Sequence, residues 1–294
     1  MSYHLDRVPE APQFDEEQPK YRVTAIVVSL NNVEALRRCL AALGRSKNRE
    51  SLEIIVVDKG SRDECPTVDS EFPNITMLRM PRNFGTTKAL NIGMRTAAAD
   101  LVFFLTPEVE VQPDTIAKLT AKLDSDPDAV AACPAIDGEQ FYRLPTLNTG
   151  AVLEPVTVDA DAGEVAVEGA TFTAMFASKY FIRGLNFLDE KYGETFSDAD
   201  LCFQIRRSGK KVVAMPQVVC SFTPRPDRFP DAALKVLEAD RIAGATRYFK
   251  KYYGLFPSLM FRLKTILKAL FSFRLGLFAA LVAGRKVDGT QREL

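Results

Sequence analysis

The chain has 294 residues, 47% of them apolar, with 38 lysines and arginines against 38 aspartates and glutamates. It is long enough to bury a substantial core, and its balanced charge excludes the global positive field that draws nucleic acid to a whole surface. Five scattered cysteines (Cys39, Cys65, Cys133, Cys202, Cys220) form no C-x-x-C pair and suit a reducing cytosol, while a single histidine, His4, excludes a Ser-His-Asp triad, a Cys-His pair and an imidazole metal site.

Residues 1–20 hold His4 and read as a loose, proline-rich and acidic leader with no apolar run long enough for a signal peptide. VTAIVVSL (Val23–Leu30) has the length of a buried strand, and Val33, Leu36, Leu40 and Leu43 follow at helical spacing. EIIVVD (Glu53–Asp58) and the weaker ITMLRM (Ile75–Met80) are two more strands. A helix runs through FGTTKALNIGMRTAAA, LVFFL (Leu101–Leu105) is another apolar strand, and Pro113–Leu123 carries a helix-start signature. Strands alternating with amphipathic helices predict a mostly parallel sheet covered on both faces, with ligands beyond the carboxyl ends of its strands.

In the second half, Ala151–Gly169 predicts a hairpin turning at Asp161–Gly163, and TFTAMFAS adds a strand. A helix begins near Asp198, and two short strands, KVVAM and QVVCSF, follow it. Past Pro230 the pattern is helical. Ser258–Gly284 is rich in Leu and Phe, carries Arg262, Lys264, Lys268 and Arg274, and has no acidic residue. Its cations break up a membrane span, leaving two readings: an amphipathic helix on an anionic membrane surface, or a helix packed on protein with its cations snorkelling.

Neither G-x-G-x-x-G nor a P-loop is present. The first strand instead ends in SLNN and the second in DKGS, where a carboxylate can meet a base or ribose, or merely close an Asx turn. VTAIVVSLNN, IIVVDKGSRD, NFGTTKALNIGMRTAAADLVFFLTPEVEV and GLNFLDEKYGETFSDADLC, in this order, resemble the family 2 glycosyltransferases, including their rhamnosyltransferase-like members. Those share V-V-D-N-G-S-x-D, N-x-G-x-x-x-x-x-N-x-G, L-L-N-P-D-x-E-V and F-E-D-V-D-L elements.

The resemblance spans Tyr21 to Phe222 and implies an α/β GT-A fold, Rossmann-like, with a C-terminal helical extension. It divides the chain into a leader (1–20), a transferase domain (21–225, with a nucleotide-sugar half at 21–125 and an acceptor half at 126–225) and a helical segment (226–294). It places the catalytic base on Asp198, with Asp200 in a structural capping role. It assigns donor contacts to Ser29, Asn31, Asp58, Gly60, Gly85, Lys88 and Asn91, and Glu108 as ligand of a divalent cation, magnesium or manganese.

Lys88 reads either as a solvated surface lysine or as a cation near the diphosphate. Thr106 and Ser197 stand where the family carries acids, and Val219-Cys220-Ser221 where it often carries histidine. The implied function is inverting transfer from a nucleoside-diphosphate sugar to a glycan or glycolipid hydroxyl, in bacterial polysaccharide or cell-wall assembly. The implied location is cytoplasmic and peripheral on the membrane, without nucleic acid partners. A catalytically degenerate relative that binds a nucleotide, or that works at a membrane surface, is the alternative.

Overall fold

The computed structural model describes residues 20–137, 140–225 and 230–290. The expected leader, apart from Lys20, lies outside them. The first half contains β1 (Val23–Ser29), α1 (Val33–Gly44), β2 (Leu52–Asp58), β3 (Thr76–Arg79), α2 (Thr86–Thr96), β4 (Leu101–Leu105), β5 (Val109–Glu110), α3 (Thr115–Ser125) and β6 (Ala129–Ile136). Then come β7 (Phe141–Arg143), β8 (Glu154–Pro155), β9 (Val165–Val167), β10 (Gly169–Ala170), β11 (Ala174–Ser178), α4 (Lys179–Gly184), α5 (Ser197–Arg207) and β12 (Lys211–Phe222). Three helices end the described chain: α6 (Asp231–Tyr252), α7 (Leu255–Phe271) and α8 (Leu275–Val282).

Among the described residues the main sheet runs β3-β2-β1-β4-β11-β6-β12-β5, with β9 paired to β12. The β3-β2-β1-β4 block is parallel, β11 enters antiparallel between β4 and β6, and β12 runs parallel to β6. β1 shows why both faces are covered. Its alternate residues Ala25 and Val27 join one core with Leu36 and Leu40 of α1 and Leu119 of α3, whereas Ile26 and Val28 join another with Leu90 of α2 and Leu201 of α5. Parallel strands in register bring the ends of β1 and β2, Ser29 and Asp58, side by side.

Two expectations are corrected. The hairpin across Asp161–Gly163 does not form: a turn closes at Asp159–Ala162, but β8 pairs with β7 in a small sheet while β9 pairs with β12. Each flank is taken up by the edge of another strand. The strands expected at KVVAM and QVVCSF are one strand, β12, with a register shift between Met215 and Val219 that absorbs Pro216.

Candidate active site

The loops after β1, β2 and β4 meet through side-chain hydrogen bonds. Asn31 takes the left-handed conformation (φ 49°), which asparagine tolerates; its N–H donates to Ser61 Oγ at 2.8 Å and its Oδ1 accepts from the Arg62 N–H at 2.7 Å. Asp58 is 1% exposed, and its carboxylate accepts the N–H groups of Gly60 and Ser61, both at 3.1 Å. This is an Asx turn. Gly60 is needed in it, since φ is +87° and a Cβ would lie 2.9 Å from Arg82 Cα. Ser29 is buried against Cys65, Oγ to Sγ 3.5 Å, beneath this floor.

A second junction joins α2 to the loop before α5. Gly85 (φ +91°) precedes α2 so closely packed that a Cβ would stand 2.6 Å from the Gly193 carbonyl carbon. Gly85→Ala is therefore expected to destabilise the fold by more than about 2 kcal/mol, read from denaturant melts. Glu194 caps α2: its carboxylate accepts from the Thr86 N–H at 3.1 Å and the Thr86 hydroxyl at 3.0 Å. The Lys59 ammonium, 5% exposed, donates to the same carboxylate and to Thr86 Oγ1. Burial pushes the Glu194 carboxyl up, but Lys59 and Thr86 outweigh it and hold it below its ordinary value. Sequence reading missed this pair. The signal was available as a lysine at the end of an otherwise apolar strand, where a buried cation demands a partner.

Asn91, a donor-contact candidate, is hydrogen-bonded to the protein framework. Its Nδ2 donates to Leu188 O and Glu190 Oε1 and its Oδ1 accepts from the Leu188 N–H, so it clamps α2 to the loop ahead of α5. The Lys88 ammonium lies 4.6 Å over the Phe84 ring. Asp200 does more than cap: buried on α5, it takes both oxygens to Lys251 at 2.8 Å and accepts from the Tyr192 and Tyr252 hydroxyls, fastening α5 to α6.

Asp198 lies in the first turn of α5, half-buried, accepting the Ala199 N–H at 2.8 Å. Burial pushes its carboxyl up to about 6, against the opposing pull of backbone N–H groups and the Tyr142 hydroxyl. The residue that starts this helix is strained: Phe196 has φ 74°, a left-handed conformation costly for a bulky side chain. Its ring packs edge-on against Tyr248 of α6, centroids 6.1 Å apart.

A cavity of about 570 Å³ opens beside this turn, between Leu30 after β1, Asn83 before α2, Glu194 and Thr195 before α5, and Leu237, Glu238 and Arg241 of α6. Of the lining residues, Asn83 and Thr195 each bury a polar atom, Nδ2 and Oγ1, without a hydrogen-bond partner among the described residues. The cavity wall mixes leucines with the charged Glu194, Glu238 and Arg241, which suits a ligand that is part apolar and part polar.

The donor set does not fit a divalent cation. Glu108 Oε1 accepts from Asn32 Nδ2 at 2.6 Å, Glu110 is ion-paired with Arg38, and the Thr106 hydroxyl is buried without a partner. Cys220 sits beside Thr115, its thiol pushed up to about 11 by burial, and is a soft ligand besides. No group of three or more His, Cys, Asp or Glu capable of holding a metal occurs among the described residues.

The family model described as Glycosyl transferase family 2 matches residues 24–181, more than half of the chain. The chain belongs to this family. An N-acetylglucosaminyltransferase of Sinorhizobium fredii is 31% identical over 96 residues, 31% of this chain and 23% of that one. A hyaluronan synthase of Pasteurella multocida is 26% identical over 153 residues, 50% of this chain and 16% of the other. The chain thus spans less than a quarter of the length of either relative.

Among solved structures, GalNAc-T7 with UDP, GalNAc and Mn²⁺ superposes with a TM-score of 0.60 at 16% identity, over 73% of this chain and 45% of that one. The mannosyltransferase PcManGT of Pyrobaculum calidifontis, in complex with GDP-Man and Mn²⁺, superposes with a TM-score of 0.55 at 18% identity, over 90% and 87%. These likenesses show that this family 2 transferase has the GT-A fold.

Proposed function

We propose that this family 2 member transfers a sugar, with inversion, from a nucleoside-diphosphate sugar to an acceptor hydroxyl of a glycan or glycolipid. The observation that carries the reading is Asp198: a carboxylate raised to about 6 in the first turn of α5, three residues from Thr195 on the cavity wall. A base of that pKa is ionised at neutral pH yet basic enough to take a proton from an attacking hydroxyl. The hydroxyl oxygen bonds to the anomeric carbon on the face opposite the nucleotide, Asp198 takes its proton, and the bond to the diphosphate breaks. A family metal would supply charge to the leaving diphosphate, but the residues here do not fit one.

In this reading the positive charge at the cavity comes from Arg241. The Asx turn of Asp58 and the Gly85 junction shape the donor side. Arg241→Ala is expected to weaken nucleoside-diphosphate binding about tenfold or more, the loss of one charge-assisted hydrogen bond. Titration calorimetry of UDP, GDP and dTDP checks it; equal affinities for wild type and variant sink the Arg241 assignment. Sugar transfer screened with nucleotide-sugar donors tests the function itself, and a chain that binds these nucleotides but transfers from none of the donors is a degenerate, nucleotide-binding relative.

A further inference from the structure

α7 packs on the protein through one side only. Phe261, Ile266 and Ala269 turn inward to meet Ala239 and Ile242 of α6 and Leu277 of α8. The other side is apolar and open to solvent: Phe256 is 73% exposed and Phe271 75%, and Leu259, Met260, Leu263 and Leu267 lie between them at spacings of three and four. The stripe continues past the helix into Phe273, 87% exposed, and Leu275 at the start of α8. Such a stripe on a globular surface marks a docking site.

The charges say what it docks to. From Leu255 to Val287 the sequence has no acidic residue. Lys264 and Lys268 border the stripe along one edge and Arg262 lies beyond the other, all three exposed. Neither Lys264 nor Lys268 makes an ion pair among the described residues, while Arg274 is held by Glu238. A second copy would bring like charges face to face, whereas an anionic bilayer accepts the apolar stripe among its acyl chains and the flanking lysines at its headgroups. No helix among the described residues is long and apolar enough to cross a membrane, so this is attachment in the plane of the surface.

We infer that α7 and the start of α8 form an interfacial docking surface for an anionic phospholipid bilayer. α6 carries both that surface, through Ala239 and Ile242, and the cavity wall, through Leu237 and Arg241, so docking holds the site at a fixed attitude to the membrane.

Flotation of the full chain with vesicles tests the inference. Equimolar phosphatidylcholine and phosphatidylglycerol vesicles are expected to carry the protein up, and pure phosphatidylcholine at least about tenfold less. Lys264→Glu with Lys268→Glu should lower the partition on anionic vesicles by about 25-fold or more, at about fivefold per cation. Leu263→Glu, at a half-exposed position that leaves the fold intact, should lower it about tenfold or more. Circular dichroism and nucleotide affinity should be unchanged in each variant. Equal partition on the two lipid mixtures, no partition at all, or indifference to Leu263→Glu overturns the inference. A dimer in sedimentation equilibrium that Leu263→Glu dissolves would also overturn it, assigning the face to a second copy.

Discussion

Replacing Asp198 with asparagine is expected to lower sugar transfer by about 10²–10⁴-fold while leaving melting temperature and nucleotide affinity near those of the wild type. The amide keeps the oxygen that accepts the Ala199 N–H but cannot take a proton from the acceptor. The pH profile carries the same assignment. Asp198 works as the ionised carboxylate, and burial has pushed its carboxyl up to about 6, so the wild-type rate is flat above that pH and falls about tenfold per unit below it. The Tyr142 hydroxyl favours the ionised form, so Tyr142→Phe should move the acid limb to higher pH. An unchanged rate in Asp198→Asn, or a profile flat through pH 6, removes the base assignment.

Glu194→Ala is expected to be the most destabilising single change at the site, about 3–5 kcal/mol, because it leaves the Lys59 ammonium buried without its counter-charge and uncaps α2. For a chain of this size that corresponds to a fall of about 6–20 °C in Tm. Replacing both partners, Lys59→Met with Glu194→Leu, should recover most of the loss, since desolvation of two charges disappears along with their attraction. The sign of the pH dependence is fixed by the direction of the shift. Glu194 is held below its ordinary value, so the pair contributes fully at neutral pH and is lost only as pH falls below the ordinary carboxylate range. Asp240 runs the other way: buried while accepting the Glu194 and Val287 N–H groups, its carboxyl is pushed up to about 6, so protonation there relieves desolvation as pH falls. A Glu194→Ala melt within about 1 kcal/mol of wild type would show that Lys59 finds another partner.

The parts of this site legible in the sequence are those set by local pattern. Alternating apolar strands and helices fixed the sheet, and the order of SLNN, DKGS, NFG and SDADL pointed to one end of it. What pattern could not reveal is how a residue divides its hydrogen bonds between framework and ligand. Asn91, expected to face a donor, is hydrogen-bonded to Leu188 and Glu190, because chain that arrives from elsewhere decides its partners. Lys59 and Glu194 are 135 residues apart, and the return of Val287 to Asp240 spans 47, distances over which neither periodicity nor motif spacing carries information. The same limit explains the hairpin: a turn at Asp159–Ala162 is local and forms, but the partner of β9 is decided by the free edge of β12.

The most direct test is a proton NMR time course of the purified chain with UDP-, GDP- and dTDP-sugars, in which water serves as the acceptor where none is known. The expected result is release of sugar from at least one donor, with the first-formed anomer opposite in configuration to the donor's and with Asp198→Asn silent. Release with the donor's own configuration, or equal release by Asp198→Asn, would contradict an inverting displacement assisted by this carboxylate.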